Sequence, residues 1–567
     1  MSSLVKNVGT IGGLTAVSRV FGFARDMILA RVLGAGLAAD AWQLAFTLPN
    51  TFRRLFAEGA FSVAFVPMYT RELHGEGGGE AAADRFAGEV LAVFVWVLLG
   101  FSALAMLAMP GIVWLLASEY QSVPGKFELA VSLSRITFPY LMLVSLVAML
   151  SGLLNARSRF APGAVVPVLL NIVLIAGILT GYWLRENRGG SDITVAYAQS
   201  IALALAGVAQ LAYMAWATRK AGVRLEIKFP RFTPRVKRLC LLMLPATFGA
   251  GVYQISQLVD TFFATSLPQG SLTLLKMADR LNQMPLGIFG IALGTAILPM
   301  LARHIQSGDG REAQRLQGNA VEVGTLLTLP AAAALAICAP AFVTAFFVGG
   351  KMTAADGAIM ANIVVALVAG LPAYVLVKVF QPAFFSREDI RTPVWVAAGA
   401  LVINIALNVK IIGIDIGGGT IGGPTELFGR TFDLRELTFP AITVEGLGYG
   451  IVGLAAATAI TSTLNVLALY TILQVRGWFH FTAKLAGRIL RQLVATTVMG
   501  ALLWWLVPRL ADRFGGNVFE RIWSIALLVG AGAGAFFLVA WAIGAVDKDL
   551  IGQLRRKRPA EPVNLSA

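Results

Sequence analysis

Residues 18–70 read SRVFGFARDMILARVLGAGLAADAWQLAFTLPNTFRRLFAEGAFSVAFVPMYT. The stretch is apolar enough for two long helices, yet Arg19, Arg25, Arg53 and Arg54 fall within the helical runs and not between them. Whether water or lipid surrounds those helices decides what the arginines do. The whole chain answers this: 57% of its 567 residues are hydrophobic and 14% charged, with mean hydropathy +0.74. Soluble domains carry about a quarter charged residues. So apolar a chain cannot cover its own surface with polar groups, and a bilayer is its natural solvent.

Runs of about twenty apolar residues match helices crossing a roughly 30 Å hydrocarbon core. They predict spans near 5–31, 38–70, 87–117, 129–155, 161–184, 194–218 and 239–265. A second set lies near 272–302, 316–347, 357–385, 393–410, 446–474, 492–508 and 522–545. The expected fold is an all-α integral membrane protein of about fourteen transmembrane helices. The opening residues read as the start of the first span, since they lack an unbroken apolar core and a small-residue cleavage site.

An even span count puts both termini on one side. The loops on that side hold 27 basic residues against 10 opposite, eight of them between Arg219 and Arg238. The positive-inside rule then places both termini in the cytoplasm. The same bias accounts for most of the +15 net charge without nucleic acid. Cys240 and Cys338 both lie in apolar runs and suggest buried thiols, not a disulfide.

Two halves of the chain echo each other. Pro67-Met68 recurs as Pro299-Met300 at an offset of 232, Pro162 as Pro393 at 231, and Asn171-Ile172 as Asn404-Ile405 at 233. Pro139 matches Pro372, also at 233. One repeat holds six spans, so the halves share an orientation and are related by an axis along the membrane normal. The expected organisation is an N-terminal six-helix lobe (1–218), a basic cytoplasmic linker (219–238) and a C-terminal six-helix lobe (239–474) with an external loop at 411–445. Two final helices (475–545) and a basic cytoplasmic tail (546–567) follow. Transporters built this way commonly hold substrate between the repeats.

Nine basic residues remain inside spans. Arg135, Lys276 and Lys410 lie near helix ends, where snorkelling suffices, and Lys378 lies within a span. Arg19, Arg25, Arg53, Arg54 and Arg280 are harder to place. Each mid-span arginine costs roughly 2.5–3.5 kcal/mol on insertion scales, so four cost on the order of 10–14 kcal/mol. They need acid partners or a water-filled cavity. Asp26, Asp40 and Glu58 are the nearby acids, Asp26 being seven residues from Arg19 and Glu58 four from Arg54. Five arginines against three acids leave a positive surplus suited to an anion, and the guanidinium fork suits phosphate. Internal ion pairing that holds the bundle together is the other reading. Asp260 and Glu322 also sit inside apolar spans, where either can take a cation or proton or serve as polar contact between helices. Asp260 and Asn404 make the candidate cation or proton site.

No Gly-x-x-x-x-Gly-Lys-Ser/Thr loop occurs, so no P-loop of this chain binds ATP. The glycine-rich stretch Gly417–Glu426 has no lysine and reads as a flexible external loop. The histidines, His74, His304 and His480, are scattered and make no metal cluster. No nucleophile–histidine–acid arrangement stands out.

Residues 18–70, together with MADRLNQMPLGIFGIALGTAILPMLAR at 277–303, resemble the MurJ (MviN) family. These are the lipid II flippases of peptidoglycan synthesis, within the multidrug/oligosaccharidyl-lipid/polysaccharide exporter superfamily. The resemblance implies two six-helix lobes plus a final helix pair forming a groove for the lipid tail, in the bacterial cytoplasmic membrane. It also implies alternating access that carries the diphosphate-linked headgroup to the outer leaflet, not catalysis. By motif, the family's cavity arginines fall on Arg19, Arg25, Arg53 and Arg280, and its acidic partners on Asp26, Asp40 and Glu58. Where some members carry a glutamate three residues after the ADR arginine, this chain has Gln283.

The implied partners are lipid II, membrane lipids and other cell-wall synthesis proteins. No cofactor is expected, and membrane potential or a monovalent cation is the expected drive. Two further classes stay open. One is an exporter of the same superfamily with another lipid-linked or drug cargo, although a drug exporter favours an acidic, aromatic cavity. The other is a non-transporting scaffold or lipid II-handling enzyme.

Overall fold

The computed structural model describes residues 2–54, 61–75, 78–223, 225, 229–412, 414–415, 420–421, 425–427, 430–432 and 449–545. Glu58, much of 411–445 and the 546–567 tail therefore lie outside the described residues.

The chain is helical almost throughout. Its helices are α1 (Ser2–Leu33), α2 (Leu37–Arg53), α3 (Ser62–His74), α4 (Glu80–Leu107), α5 (Met109–Ala117), α6 (Lys126–Thr137) and α7 (Tyr140–Ala156). Then come α8 (Ala161–Asn187), α9 (Asp192–Lys220), α10 (Pro234–Thr265), α11 (Ser271–Pro285), α12 (Ile291–Gln306), α13 (Gly310–Ile337) and α14 (Ala339–Phe346). The rest are α15 (Ala354–Ala369), α16 (Leu371–Phe385), α17 (Arg391–Ile412), α18 (Tyr449–Val475), α19 (Ala483–Leu506), α20 (Ala511–Phe514) and α21 (Val518–Ala542). Between α17 and α18, Ile414–Asp415 pairs antiparallel with Thr420–Ile421, and Thr425–Leu427 with Arg430–Phe432. Part of the stretch expected to be a loop thus forms two short hairpins.

Among the described residues, ten helical segments are long and apolar enough to cross a bilayer. The segments at 2–33, 37–74, 234–265 and 271–306 are not among the ten. These are the helices that carry Arg19, Arg25, Asp26, Arg53, Asp260, Lys276 and Arg280.

The chain divides into two compact units. The first comprises Met1–Arg280, Phe346–Ile363 and Ala397–Ala457. Its tightest helix pair is α8 with α9. A Cβ at Gly177 would lie 2.4 Å from Ala202 Cβ, and one at Gly181 2.8 Å from Val195 Cα. Bare glycine faces let these helices approach at backbone distance, which lipid-embedded helices use in place of a hydrophobic drive. Phe61, Phe65 and Tyr69 repeat at four-residue spacing, and Phe65 stacks on Phe61, Tyr69 and Phe86 at 4.9, 5.7 and 5.9 Å. Arg157 closes that column, donating to Tyr69 Oη at 2.8 Å and Asp84 Oδ1 at 2.6 Å.

The second unit comprises Leu281–Ala345, Val364–Val396 and Thr458–Ala567. Here α19 is tied to α13 by polar groups inside an apolar pack. Arg488 Nη1 reaches Glu322 Oε2 at 2.7 Å, Gln492 Nε2 donates to the Glu322 carbonyl at 3.3 Å, and Thr325 Oγ1 donates to Gln492 Oε1 at 2.8 Å. Of the two roles open to Glu322 from sequence, the structure takes polar contact between helices. In the α16–α17 loop Asp389 accepts from Thr392 N and Oγ1 at 3.0 and 2.6 Å and pairs with Arg476 at 2.5 Å. Burial opposes its ionisation, but the Thr392 hydrogen bonds and the Arg476 charge outweigh it and hold the carboxyl at about 2.

Two backbone details recur at the sequence offset. Ser158 after α7 and Glu388 after α16 both take left-handed φ, 58° and 61°. Leu286–Gly290 forms a π turn directly after Pro285, and Arg54, 232 residues before Leu286, is π-helical as well. Such turns are common at functional hinges.

Candidate functional site

The arginine cluster lies in the first unit. α1 presents Arg25 and Asp26 on its buried side, and α11 brings Arg280 to them. Arg25 Nε and Nη2 both donate to Asp26 Oδ1, at 2.9 and 2.6 Å, while Arg280 Nε meets Asp26 Oδ2 at 2.9 Å. One carboxylate is therefore shared by two guanidinium groups. Arg25 Nη1 also donates to Asn171 Oδ1 at 3.0 Å, and its guanidinium lies 5.5 Å from the Phe46 ring centroid. Asn171 is itself held by Ser18 O and Pro167 O at 3.1 and 3.0 Å, which fixes α8 against α1.

Burial separates the two arginines. Arg25 is 6% exposed, whereas the Arg280 side chain is 38% exposed and keeps donors free to face water. Arg19 is exposed on α1, and Arg53 ends α2 half-buried. Glu58 lies outside the described residues.

Asp40 does something else. It is 2% exposed and accepts four hydrogen bonds: Lys126 Nζ at 2.9 Å, Gly270 N at 2.8 Å, Thr273 N at 3.1 Å and Thr273 Oγ1 at 2.7 Å. The carboxylate thereby caps α11 at its positive end and neutralises Lys126, whose Nζ lies 4.0 Å from the Tyr120 ring centroid. Lys126 falls between the predicted spans 87–117 and 129–155. It is instead buried in the first turn of α6.

The α1–α2 corner is gripped a second time. Lys351 N donates to Arg31 O at 2.8 Å, and Arg185 Nη1 donates to Val32 O at 2.7 Å. These satisfy carbonyls that a helix C-terminus leaves orphaned. Gly34 (φ 63°) and Gly350 (φ 59°) make the approach possible, since a Cβ at either would come within 2.5 Å of Lys351 O or Arg31 O. Lys351 Nζ and Arg185 Nη1 also meet Asp192 at 2.6 and 2.9 Å. This end of α1 is sealed, while most side chains from Gly12 to Phe21 are exposed.

Of the two candidate cation residues, Asp260 shares the charge neighbourhood of Lys276, which lies one turn before Arg280. Asp260 Oδ1, on α10, is buried with no hydrogen-bond partner among the described residues. Asn404, on α17, accepts from Asn408 Nδ2 at 3.0 Å. Among the described residues no group of three histidine, cysteine or acidic side chains is placed to hold a metal. Sequence reading missed Lys126, Asn171 and Thr273; only Asn171 left a trace, in the Asn-Ile repeat.

This arrangement of long helices is the fold of solved membrane transporters. A solved inward-facing multidrug resistance MATE family transporter of the MOP superfamily matches at TM-score 0.63, covering 81% of this chain and 94% of that one at 11% identity. A solved lipid II flippase MurJ in an inward closed conformation matches at TM-score 0.70, covering 95% and 99% at 22% identity. The family model described as lipid II flippase MurJ matches residues 29–421. A Rhizobium tropici protein named "Probable lipid II flippase MurJ" is 37% identical over 98% of both chains. The Burkholderia cenocepacia "Lipid II flippase MurJ" is 30% identical over 96% of this chain and 98% of its own. The chain belongs to the MurJ lipid II flippase family.

Proposed function

We propose that this protein moves lipid II, the undecaprenyl-diphosphate-linked peptidoglycan precursor, between leaflets by alternating access. The observation that carries the reading is the single carboxylate of Asp26 shared by Arg25 and Arg280. Two guanidinium groups on one acid leave a net positive charge in a region where each arginine costs roughly 2.5–3.5 kcal/mol. A cluster built for stability alone would balance its charges. A diphosphate supplies the missing negative charge and accepts bidentate hydrogen bonds from the fork. In this reading Arg19 and Arg53 add to the headgroup site.

The chain then has fourteen spans, two six-helix lobes and a final pair whose groove takes the lipid tail, with both termini in the cytoplasm. The sealed α1–α2 corner is the outer gate, closed by Asp40 and the Arg31–Lys351 contact, and the exposed half of α1 faces inward. Membrane potential, worth about 2.3 kcal/mol per charge per 100 mV, can return the positively charged empty site. A monovalent cation at Asp260 and Asn404 is the alternative drive. Contacts with other cell-wall synthesis proteins are part of the same reading.

The test replaces Arg25, Arg53 and Arg280 by alanine one at a time, in cells depleted of their own flippase. Lipid II at the outer leaflet is scored alongside membrane insertion. Inserted variants that expose no lipid II support the reading; inserted variants with normal exposure overturn it.

A further inference from the structure

The segment leading into α10 has an unusual surface. Phe229 is 83% exposed and Phe232 70% exposed, and Arg231, Lys237 and Arg238 around them are exposed as well. Large exposed aromatics amid bases are costly facing water alone. Their depth can be read from the contacts that pin them.

Thr233 Oγ1 donates to Glu89 Oε2 at 2.9 Å, and Arg235 pairs with Glu72 at 3.0 Å. Glu89 is the last charged residue of α4; from Val90 to Leu107 the helix is uncharged. Thr233 therefore sits where the apolar part of α4 begins, and Phe232 is its chain neighbour. α9 gives the same level independently. It carries no charge between Asp192 and Arg219, and at its end Trp216 is exposed with Lys220 Nζ 4.9 Å from its ring centroid. Aromatic rings at the edge of the hydrocarbon, with cations just outside it, make up the anchoring pattern of the membrane interface.

We propose that Trp216, Phe229 and Phe232, with Lys220, Arg231, Lys237 and Arg238, form a docking surface for the anionic phospholipid headgroups of the surrounding leaflet. The rings enter the headgroup–acyl boundary and the bases take the phosphates. Among the described residues Glu72 and Glu89 are engaged by Arg235 and Thr233, while Lys220, Arg231, Lys237 and Arg238 stay exposed. The surface thus fixes the start of α10 at the interface, whatever cargo the protein carries.

The test uses the full chain with Phe229→Cys in a Cys240→Ser background, since Cys240 is exposed and Cys338 buried. A nitroxide at residue 229 reports collisions with oxygen, which partitions into the bilayer, and with an aqueous nickel reagent. In phosphatidylcholine vesicles the label should favour nickel. With phosphatidylglycerol added it should shift toward oxygen. The variant Arg231→Glu, Lys237→Glu, Arg238→Glu should lose that shift, about fivefold in partition per reversed charge. Because the lipid titration works on the unreversed chain, a poorly folding triple variant does not decide the matter. A label equally aqueous with and without phosphatidylglycerol overturns the proposal. So does a label driven inward by inorganic diphosphate without anionic lipid, which would assign the surface to a diphosphate headgroup.

Discussion

Two buried charge clusters use the same side chains in opposite proportions. In the second unit Glu322 takes Arg488, and Gln492 and Thr325 hydrogen-bond around them. In the first unit Asp26 alone serves both Arg25 and Arg280, and Arg280 stays partly open. A balanced pair is internal cement: it asks nothing of a ligand. An unbalanced one leaves positive charge over, which the proposed function assigns to an anion. Under the proposed function, stoichiometry, more than burial or distance, separates the structural ion pair from the headgroup site.

The comparison can be broken in order of effect. Asp40→Ala strands Lys126 in the interior and uncaps α11. Losing one partner of a buried pair costs about 3–5 kcal/mol, so thermal unfolding in detergent should show a larger loss for Asp40→Ala than for any substitution in the two clusters. Arg488→Ala should approach the same loss, whereas Glu322→Leu with Arg488→Met should restore stability to within about 1 kcal/mol and leave flipping intact. If the paired replacement abolishes lipid II exposure, the second cluster is more than cement. Arg280→Ala should do the reverse, lowering flipping about tenfold or more, equivalent to about 1.4 kcal/mol, with little change in unfolding temperature. A stability loss as large as that of Arg488→Ala would make the first cluster structural.

The smallest effect is expected at Asp389. Its carboxyl, held at about 2, lies below the ordinary value near 3.9. Its contribution is complete above about pH 4 and is lost as pH falls toward 2. Comparing wild type with Asp389→Asn across that window should show a stability gap of about 1 kcal/mol or less closing with acid. A gap unchanged from pH 4 to pH 2 would mean that Thr392 and Arg476 do not hold the ionised form.

The helical membrane class was legible because the apolar runs are long, and the arginines announced themselves by lying where charge is expensive. Their pairing was not legible. Spacing offered Arg19 to Asp26, seven residues apart on one face, but Asp26 takes Arg25, its chain neighbour, whose long side chain folds back, and Arg280 from α11. Asp40 with Lys126 was invisible for the same reason: the partners lie on helices distant in sequence, and Lys126 follows a Pro-Gly that reads as a loop.

Asp26 gives the first cluster one more property. It is a carboxylate fastened to the same helix as Arg25, so the guanidinium groups meet it at an effective concentration on the order of millimolar or higher. In the proposed cycle an arriving diphosphate therefore binds by exchange, and Asp26 stands ready to reclaim the arginines as it leaves. The chain carries its own eluant. Tight capture of a diphosphate would stall a carrier, and a resident competitor keeps release within reach.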